Sequence, residues 1–200
     1  MVLWSCRRCC SRGTVSRQVP VEFAAASAAV VEWSLLVVLG ILFWSIIEYF
    51  GHGVMAHYYS GLVWRAHTKH HRHAHVVLTG PVWIPAAVLL ALSMFVSLGV
   101  VQGSAITAGI LVGFFCYEHA HWCIHFRPPE SERERRLRAH HLAHHVGNPR
   151  RAIGVTTSFW DRLLGTMPSE EALAISVRMP ALVCPFGFWR CFWRASLRVA

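Results

Sequence analysis

Long apolar stretches alternate along the chain with polar stretches dense in histidine and arginine. Ala24 to Phe50 is apolar apart from Glu32 and Glu48. A second apolar run, opened by Pro81 after Gly80, covers 81–101, and a third covers 105–124. About 20 apolar residues cross the hydrocarbon core of a bilayer as a helix. The pattern therefore predicts membrane spans over about 24–50, 81–101 and 105–124, the first with residues to spare. Gln102-Gly103-Ser104 reads as a tight turn that folds the second and third spans into a hairpin. The hairpin returns the chain to the side it left, so the polar segments 52–80 and 121–145 emerge on one membrane face. The expected fold is an all-α integral membrane protein with about three transmembrane helices and a cytosolic helical cap.

The flanking segments complete the outline. Residues 1–22 carry Arg7, Arg8, Arg12 and Arg17 and read as a poorly ordered basic tail. The apolar run after them is too long for a signal-peptide core. Residues 23–166 form the membrane domain, in which 126–139 reads as a charged, soluble connection leading into a helix. Residues 167–200 form a C-terminal tail. Within it Arg190, Arg194 and Arg198 recur every four residues among Phe188, Trp189, Phe192, Trp193 and Leu197. That spacing suits an interfacial amphipathic helix; a ragged terminus is the alternative.

Composition supports a membrane setting. Residues are 54% apolar and only 14% charged over a length of one domain, which departs from soluble globular usage. The net charge of +9 comes almost wholly from arginine, with Lys69 the only lysine. Beside apolar spans, such charge favours anionic lipid headgroups over nucleic acid. Arg65, Lys69, Arg72 and the twelve arginines from Arg127 onward lie on the histidine side, which the positive-inside rule places in the cytoplasm. Three spans put the four tail arginines on the opposite face, against the same rule. The seven cysteines are scattered, and Cys6-x-x-Cys9 has no second pair to complete a zinc site.

The chemistry rests on histidine. Seven histidines fall between Glu48 and His75: His52, His57, His67, His70, His71, His73 and His75. Positions three and four apart share a helix face. His67-x-x-His70-His71, His141-x-x-His144-His145 and His121-x-x-x-His125 are each spaced to aim imidazoles at a common point, and Glu118 joins the stripe of His121. His52 and His57 are five apart, a spacing that shares no face of a regular helix. Gly51 and Gly53 bracket His52, so these two are expected to converge by loop geometry. Carboxylates are scarce, so a metal site here is built mostly from nitrogen. Ten candidate ligands are too many for one ion and suit two. The His-Glu-x-x-His pattern of zinc proteases is absent, and the carboxylate-bridged di-iron pattern lacks its second Glu-x-x-His. Glu48 reads either as a solvated helix-end carboxylate or as a group that orients a ligand histidine.

Glu48-Tyr-Phe-Gly-His-Gly-Val-Met-Ala-His57, Leu62-Val-Trp-Arg-Ala-His-Thr-Lys-His-His71 and Tyr117-Glu-His-Ala-His-Trp-Cys-Ile-His-Phe-Arg127 resemble three histidine boxes of one family. Arg138-Ala-His-His-Leu-Ala-His-His145 and Gly154-Val-Thr-Thr-Ser-Phe-Trp-Asp-Arg-Leu-Leu-Gly-Thr166 resemble the fourth box and its ending. The family is the fatty acid hydroxylase and sterol desaturase superfamily of membrane non-haem di-iron enzymes, with bacterial fatty acid 2-hydroxylase-like proteins the nearest in look. The resemblance covers about residues 45–166. It implies His52, His57, His67, His70, His71, His121, His125, His141, His144 and His145 as metal ligands. It leaves His73, His75 and His119 outside the register. It favours His141 over His140, so that His140, Glu48, Glu118 and Asp161 become candidates for groups supporting the ligands.

The implied cofactor is a pair of iron ions, with zinc as a substitute, and O2 is the co-substrate. The implied reaction is hydroxylation of a lipid acyl chain, with sterol or carotenoid hydroxylation or desaturation as the alternative. Electrons come from an external donor of ferredoxin or cytochrome b5 type, since no flavin, haem or iron–sulfur motif is visible. A membrane metal-binding or transport protein is the competing class. It calls for ligands inside the spans, whereas these histidines cluster at span ends. Trp64, Trp122, Phe159 and Trp160 read either as a substrate groove or as interfacial anchors. The segment 154–166 reads either as a cap in which Asp161 holds a ligand imidazole, or as plain packing of Phe159, Trp160, Leu163 and Leu164.

Overall fold

A computed structural model describes residues 21–73 and 80–181. Nearly all of the basic tail, His75 and the amphipathic helix expected near the C-terminus lie outside the described residues. Regular structure among the described residues is wholly helical. The first helix, α1 (Val21–Phe50), continues through a π-helical turn (Gly51–Met55) into α2 (Ala56–Tyr58). Then follow α3 (Leu62–Arg72), α4 (Gly80–Leu98), α5 (Val100–Phe126), α6 (Glu132–Val146), α7 (Phe159–Leu164) and α8 (Glu170–Val177).

Two helices are long and apolar enough to cross a membrane, Phe23–Tyr58 and Val100–Phe126, and Ile84–Leu98 within α4 is a shorter apolar helix. The outer side of α1 exposes Val31, Leu35, Val38 and Leu42, the composition of a lipid-facing surface. At about 1.5 Å per residue α5 is about 40 Å long, longer than a hydrocarbon core of about 30 Å. His121 and His125 stand in its last two turns, beyond the length that such a core would take up.

The bundle is held by small residues. Ala105, Gly109 and Gly113 recur every four residues on α5 and are buried, the two glycines against α1. A Cβ on Gly109 would collide with the Val37 carbonyl, and one on Gly40 with the Ile106 carbonyl. Gly113 lies flat beneath the Trp44 ring, which also meets Phe114 edge-on at 5.4 Å between centroids. Such small-residue stripes let two helix backbones approach in lipid, where dispersion and packing replace the hydrophobic effect.

The hairpin is present, but its turn differs from the sequence reading. The turn is Gly99, with φ 82°, a conformation glycine adopts at no steric cost. Gln102 to Ser104 already belong to α5. Gly103 serves close packing instead, because a Cβ there would meet the Met94 carbonyl and the Phe95 ring at 2.8 Å. The polar signal has its own cause: the Gln102 amide reaches Glu32 Oε1 at 3.5 Å at that end of the bundle.

The charged connection ends sooner than expected, and its second half is the start of α6. Ser131 caps that helix, accepting from the Glu134 N–H at 3.2 Å while the Glu134 carboxylate accepts from the Ser131 N–H at 3.3 Å. The reciprocal pair is a capping box. Helix α8 was not foreseen, although Ser169 before Glu170 and Glu171 is an N-cap signal, and Ser169 accepts from the Ala172 N–H at 3.3 Å. Buried Arg138 ties α6 to the Ile124 carbonyl of α5 and to the Met179 carbonyl beyond α8. The packing reading of α7 is met only by Trp160, which donates to Ser45 Oγ of α1 at 3.2 Å. Phe159, Leu163 and Leu164 point outward, between 50% and 62% exposed.

Overpacking a close contact costs roughly 1–3 kcal/mol, or a drop of several degrees in Tm for a chain of this size. Gly109→Val is expected to lower the unfolding midpoint in detergent by about 5 °C. Gly61→Ala, at an extended residue with open space around it, is expected to leave the midpoint unchanged. Equal midpoints for the two variants would remove the small-residue stripe from the account.

Candidate metal centre

Four segments bring ten histidines to one place. His52 stands in the π-helical turn and His57 just beyond it, which corrects the expectation of loop geometry. A π-helix bonds residue i to i+5, so a spacing of five shares a face there, and the two rings lie 5.9 Å apart. The other positions come from α3, the end of α5, and α6.

The ten rings form two groups. His70, His121, His125, His141 and His145 make the first, with one ring nitrogen of each within 4.8 Å of all the others. His52, His57, His67 and His144 make the second by the same measure. His71 closes on the second group, its Nε2 lying 2.8 Å from His67 Nε2 and 3.1 Å from His144 Nε2. The groups adjoin where the His71 and His145 rings stack at 4.3 Å.

The two His-x-x-His-His units do not each aim at one point. In α3 the i, i+4 pair His67 and His71 serves the second group while His70 serves the first. In α6 the pair His141 and His145 serves the first group while His144 serves the second. At 3.6 residues per turn, i and i+4 differ by about 40°, while i+3 lies about 60° to the other side. Each unit therefore straddles the boundary between the groups.

Burial sets the charge state. His70, His121 and His141 are fully buried, and His67, His125 and His144 nearly so. Burial, reinforced by the neighbouring imidazoles, holds His67, His70, His141, His144 and His145 well below the usual histidine range. Burial and then His57 bring His71 down to about 4. All are neutral at pH 7, the form that offers a lone pair.

Two rings have their tautomer fixed by backbone. His52 Nδ1 donates to the Ile153 carbonyl and His144 Nδ1 donates to the Arg151 carbonyl at 2.9 Å. The lone pair of each is thereby left on Nε2, and His52 Nε2 is buried with no hydrogen-bond partner. The segment that supplies these carbonyls is held by buried carboxylates. Asp161 Oδ1 accepts from the Ile153 N–H at 2.8 Å and Thr166 Oγ1 at 2.7 Å. Its Oδ2 accepts from the Gly154 N–H at 2.8 Å and His140 Nε2 at 3.0 Å. Burial alone would raise the Asp161 carboxyl, but these bonds outweigh it and hold it below the usual range. Glu48 accepts from the Val155 and Thr156 N–H groups at 2.8 and 2.9 Å and from the Thr156 hydroxyl at 2.6 Å.

Glu48 is thus neither solvated nor bonded to a ligand imidazole; it grips the segment 153–156. Asp161 holds His140, which turns away from the histidine groups, rather than one of the ten. Glu118 is fully buried one turn before His121. His73 and His119 are exposed and join neither group. The carbonyls of Arg151 and Ile153 had no sequence signal beyond their place before the Gly154 motif.

A narrow apolar slot, with room for about one water molecule, adjoins the second group between α1, α3 and α5. It is bordered by Trp44, Ile47, Val63, Ala66 and Tyr117 and by Glu48, His52 and His67. Trp64, Trp122, Phe159 and Trp160 do not line it.

A histidine depressed in the folded state favours the fold when neutral and opposes it when the unfolded chain takes up a proton. The metal-free protein should therefore lose stability as pH falls from about 6.5 through about 4, the window of His71. Thermal midpoints of chelator-stripped protein at pH 8 and pH 5 test this, with the lower value expected at pH 5. A flat profile would contradict the neutral cluster.

Residues 37–166 match the family model described as fatty acid hydroxylase. A dihydroceramide fatty acyl 2-hydroxylase of Arabidopsis thaliana is 30% identical over 70% of this chain and 63% of its own length. A fatty acid 2-hydroxylase of Mus musculus is 31% identical over 68% of this chain and 40% of its own. The chain thus spans between two fifths and two thirds of these relatives. A solved structure of full-length scs7p, in which only the hydroxylase domain is visible, shares the fold. Its TM-score is 0.58 at 23% identity over 81% of this chain and 68% of that one. With the family model covering well over half of the chain, including all four histidine segments, the protein belongs to the fatty acid hydroxylase family.

Proposed function

We propose that this chain is a multi-pass membrane hydroxylase that uses O2 and two irons to place a hydroxyl group on a lipid acyl chain. The observation that carries this reading is the convergence of ten histidines into two groups at the end of apolar helices, with an apolar slot beside them.

The donor set fits a pair of divalent ions. Neutral imidazoles carry one N–H each, yet Nε2 atoms from five or more rings crowd at 2.8 to 3.2 Å. With His52 and His144 protonated at Nδ1, their Nε2 lone pairs point into that crowd, and a cation there removes the repulsion. Metal–imidazole bonds of about 2.1 Å at right angles place adjacent nitrogens about 3.0 Å apart, the spacing observed. Imidazole suits iron, and zinc equally. His70, His121, His125, His141 and His145 would hold one ion, and His52, His57, His67, His71 and His144 the other.

Bound iron, with dioxygen and electrons from a donor, supplies the oxidation of an unactivated C–H bond that no side chain can perform. The residues do the rest. Trp44, Ile47 and Tyr117 offer an apolar wall beside His52 and His67 against which acyl methylenes would pack. Burial keeps water from the reacting carbon, and the fixed tautomers keep lone pairs directed inward. The relatives' names favour the 2-position of a fatty acyl or ceramide chain. Exposed Arg133, Arg135 and Arg136 on α6 suit the acidic surface of a ferredoxin or cytochrome b5 type donor. By the positive-inside rule this face is cytoplasmic. The clustering of the histidines at helix ends, rather than along a path through the bundle, favours an enzyme over a transporter.

Cells expressing the chain should accumulate a hydroxylated acyl lipid that mass spectrometry of total lipids detects. His141→Ala is expected to abolish the product, while His73→Ala leaves it intact. Purified protein should hold two irons per chain. No new lipid, with at most one metal per chain, would reject the enzyme reading. Ala66→Leu narrows the slot, so product is expected to fall about tenfold or more with both metals retained, the cost of misplacing a substrate. Unchanged turnover would place the acyl chain elsewhere.

A further inference from the structure

The segment between α6 and α7 wraps the second histidine group, and both carbonyl bonds identified from it fall on that group. Arg151 holds His144 and Ile153 holds His52. We propose that Glu48 and Asp161 are positioning residues for the second of the two metal ions alone, acting through this strap. The inference rests on the two-ion reading above.

The strap has almost no freedom of its own. Asp161 binds the two successive N–H groups of Ile153 and Gly154, and Glu48 binds the next two, of Val155 and Thr156. Four consecutive backbone donors are thus taken by two buried carboxylates. The Ile153 carbonyl that orients His52 lies on the peptide unit whose N–H Asp161 Oδ2 accepts, the Gly154 N–H. Displacing the carboxylate displaces the carbonyl with it. Ala152, just before, sits at φ 56°, a strained conformation for a residue with a side chain. Its N–H is held by the Thr166 carbonyl at 2.7 Å. Strain of this kind persists only where the surroundings over-determine the backbone.

The two carboxylates are linked through α1. Thr166 Oγ1 donates to Asp161, so the short contact of 2.6 Å between it and the Tyr49 hydroxyl is donated by Tyr49. Glu48 and Tyr49 are neighbours at the end of α1, one turn before His52. The same turn of helix therefore anchors both ends of the strap and leads directly into the histidine that the strap orients.

Among the described residues no strap carbonyl bonds to a ring of the first group. The Nδ1 atoms of His121 and His141 are buried without a hydrogen-bond partner. Those two rings stand on α5 and α6. The two ions are consequently held by different means, and the strap affects only one.

The substitutions remove single acceptors without changing size. Asp161→Asn puts an amide N–H2 where Oδ2 accepts from Gly154 and His140, or where Oδ1 accepts from Ile153 and Thr166. Glu48→Gln puts one where the carboxylate accepts from Thr156. Loss of a group that orients a ligand weakens metal binding about 10- to 100-fold. Purified full-length wild type, Asp161→Asn and Glu48→Gln, loaded with iron, would be dialysed against graded chelator and their metal per chain read by mass spectrometry. Wild type is expected to lose its ions in two steps. In both variants one and the same step should move by about 10- to 100-fold in free metal while the other step stays in place. Thr156→Val, which deletes only the hydroxyl donor, should shift that same step less than Glu48→Gln. Two steps that move together would show a merely structural role and overturn the proposal, as would steps that do not move. A wild type that never holds more than one ion would instead reject the two-ion reading, a result the wild-type titration alone identifies.

Discussion

Neither histidine group can form without both α3 and α6, and that constraint governs the structure. Each of these helices sends an i, i+4 pair to one group and the intervening histidine to the other. A helix is stiff, so the three positions on it keep fixed relative directions. Once α3 and α6 face each other, the two groups are built together at a set separation, with His71 and His145 stacked where they adjoin. The long helices exist to bring these faces into place. α1 delivers His52 and His57, and α5 returns with His121 and His125 at the same level. Gly40 and Gly109 set how closely those two helices approach. A spacer of even a methyl group between α1 and α5 would move two segments of the centre apart.

Two groups built from histidine alone are the second half of the design. Imidazoles can share a dry volume when neutral, and burial holds those of α3 and α6 in that form. A carboxylate among them would favour protonated rings and turn lone pairs into N–H donors. Glu48 and Asp161 are close by, fully or nearly fully buried, yet each spends its acceptors on backbone amides and hydroxyls of the strap. Their charge is satisfied by hydrogen bonds that also fix geometry, which is the condition under which a buried carboxylate is tolerated. His140 completes the arrangement by facing Asp161 rather than the centre, although it is adjacent to His141 in sequence.

Much of this was legible in the sequence, and the failures have definite causes. Apolar run lengths gave the helices and the hairpin, and histidine spacing singled out most of the side chains that converge. The hairpin turn was misplaced because Gly103 and Gln102 look like turn residues. One is in fact a packing glycine and the other pairs with Glu32 across the bundle, both facts of tertiary contact. The direction in which each His-x-x-His-His unit points was misread because sharing a broad face is a weaker condition than sharing a point. A difference of about 100° between i+3 and i+4 is enough to separate two sites. The roles of Arg151 and Ile153 were invisible because they act through carbonyl oxygens, which every residue has. The slot was missed because Trp44 and Tyr117 read as ordinary span residues until α3 is folded against them.

The π-helical turn shows how local and distant structure are joined. Continued as an α-helix, α1 would place His52 and His57 about 140° apart, and they could not serve one group. Widening a single turn to i, i+5 bonding corrects this at the cost of weaker local geometry, which is why such turns are rare and gather at functional sites. Gly51 and Gly53 lie in that turn, and Gly53 has a second use. A Cβ there would meet the Ile153 side chain at 2.9 Å, so the missing side chain is what lets the strap close down on His52. The glycine that accompanies the helix's change of pitch therefore also makes room for the carbonyl that orients the histidine beside it. The spacing Gly51-His-Gly-x-x-x-His57 encodes both requirements, and neither α1 nor the strap could adopt its conformation without the other.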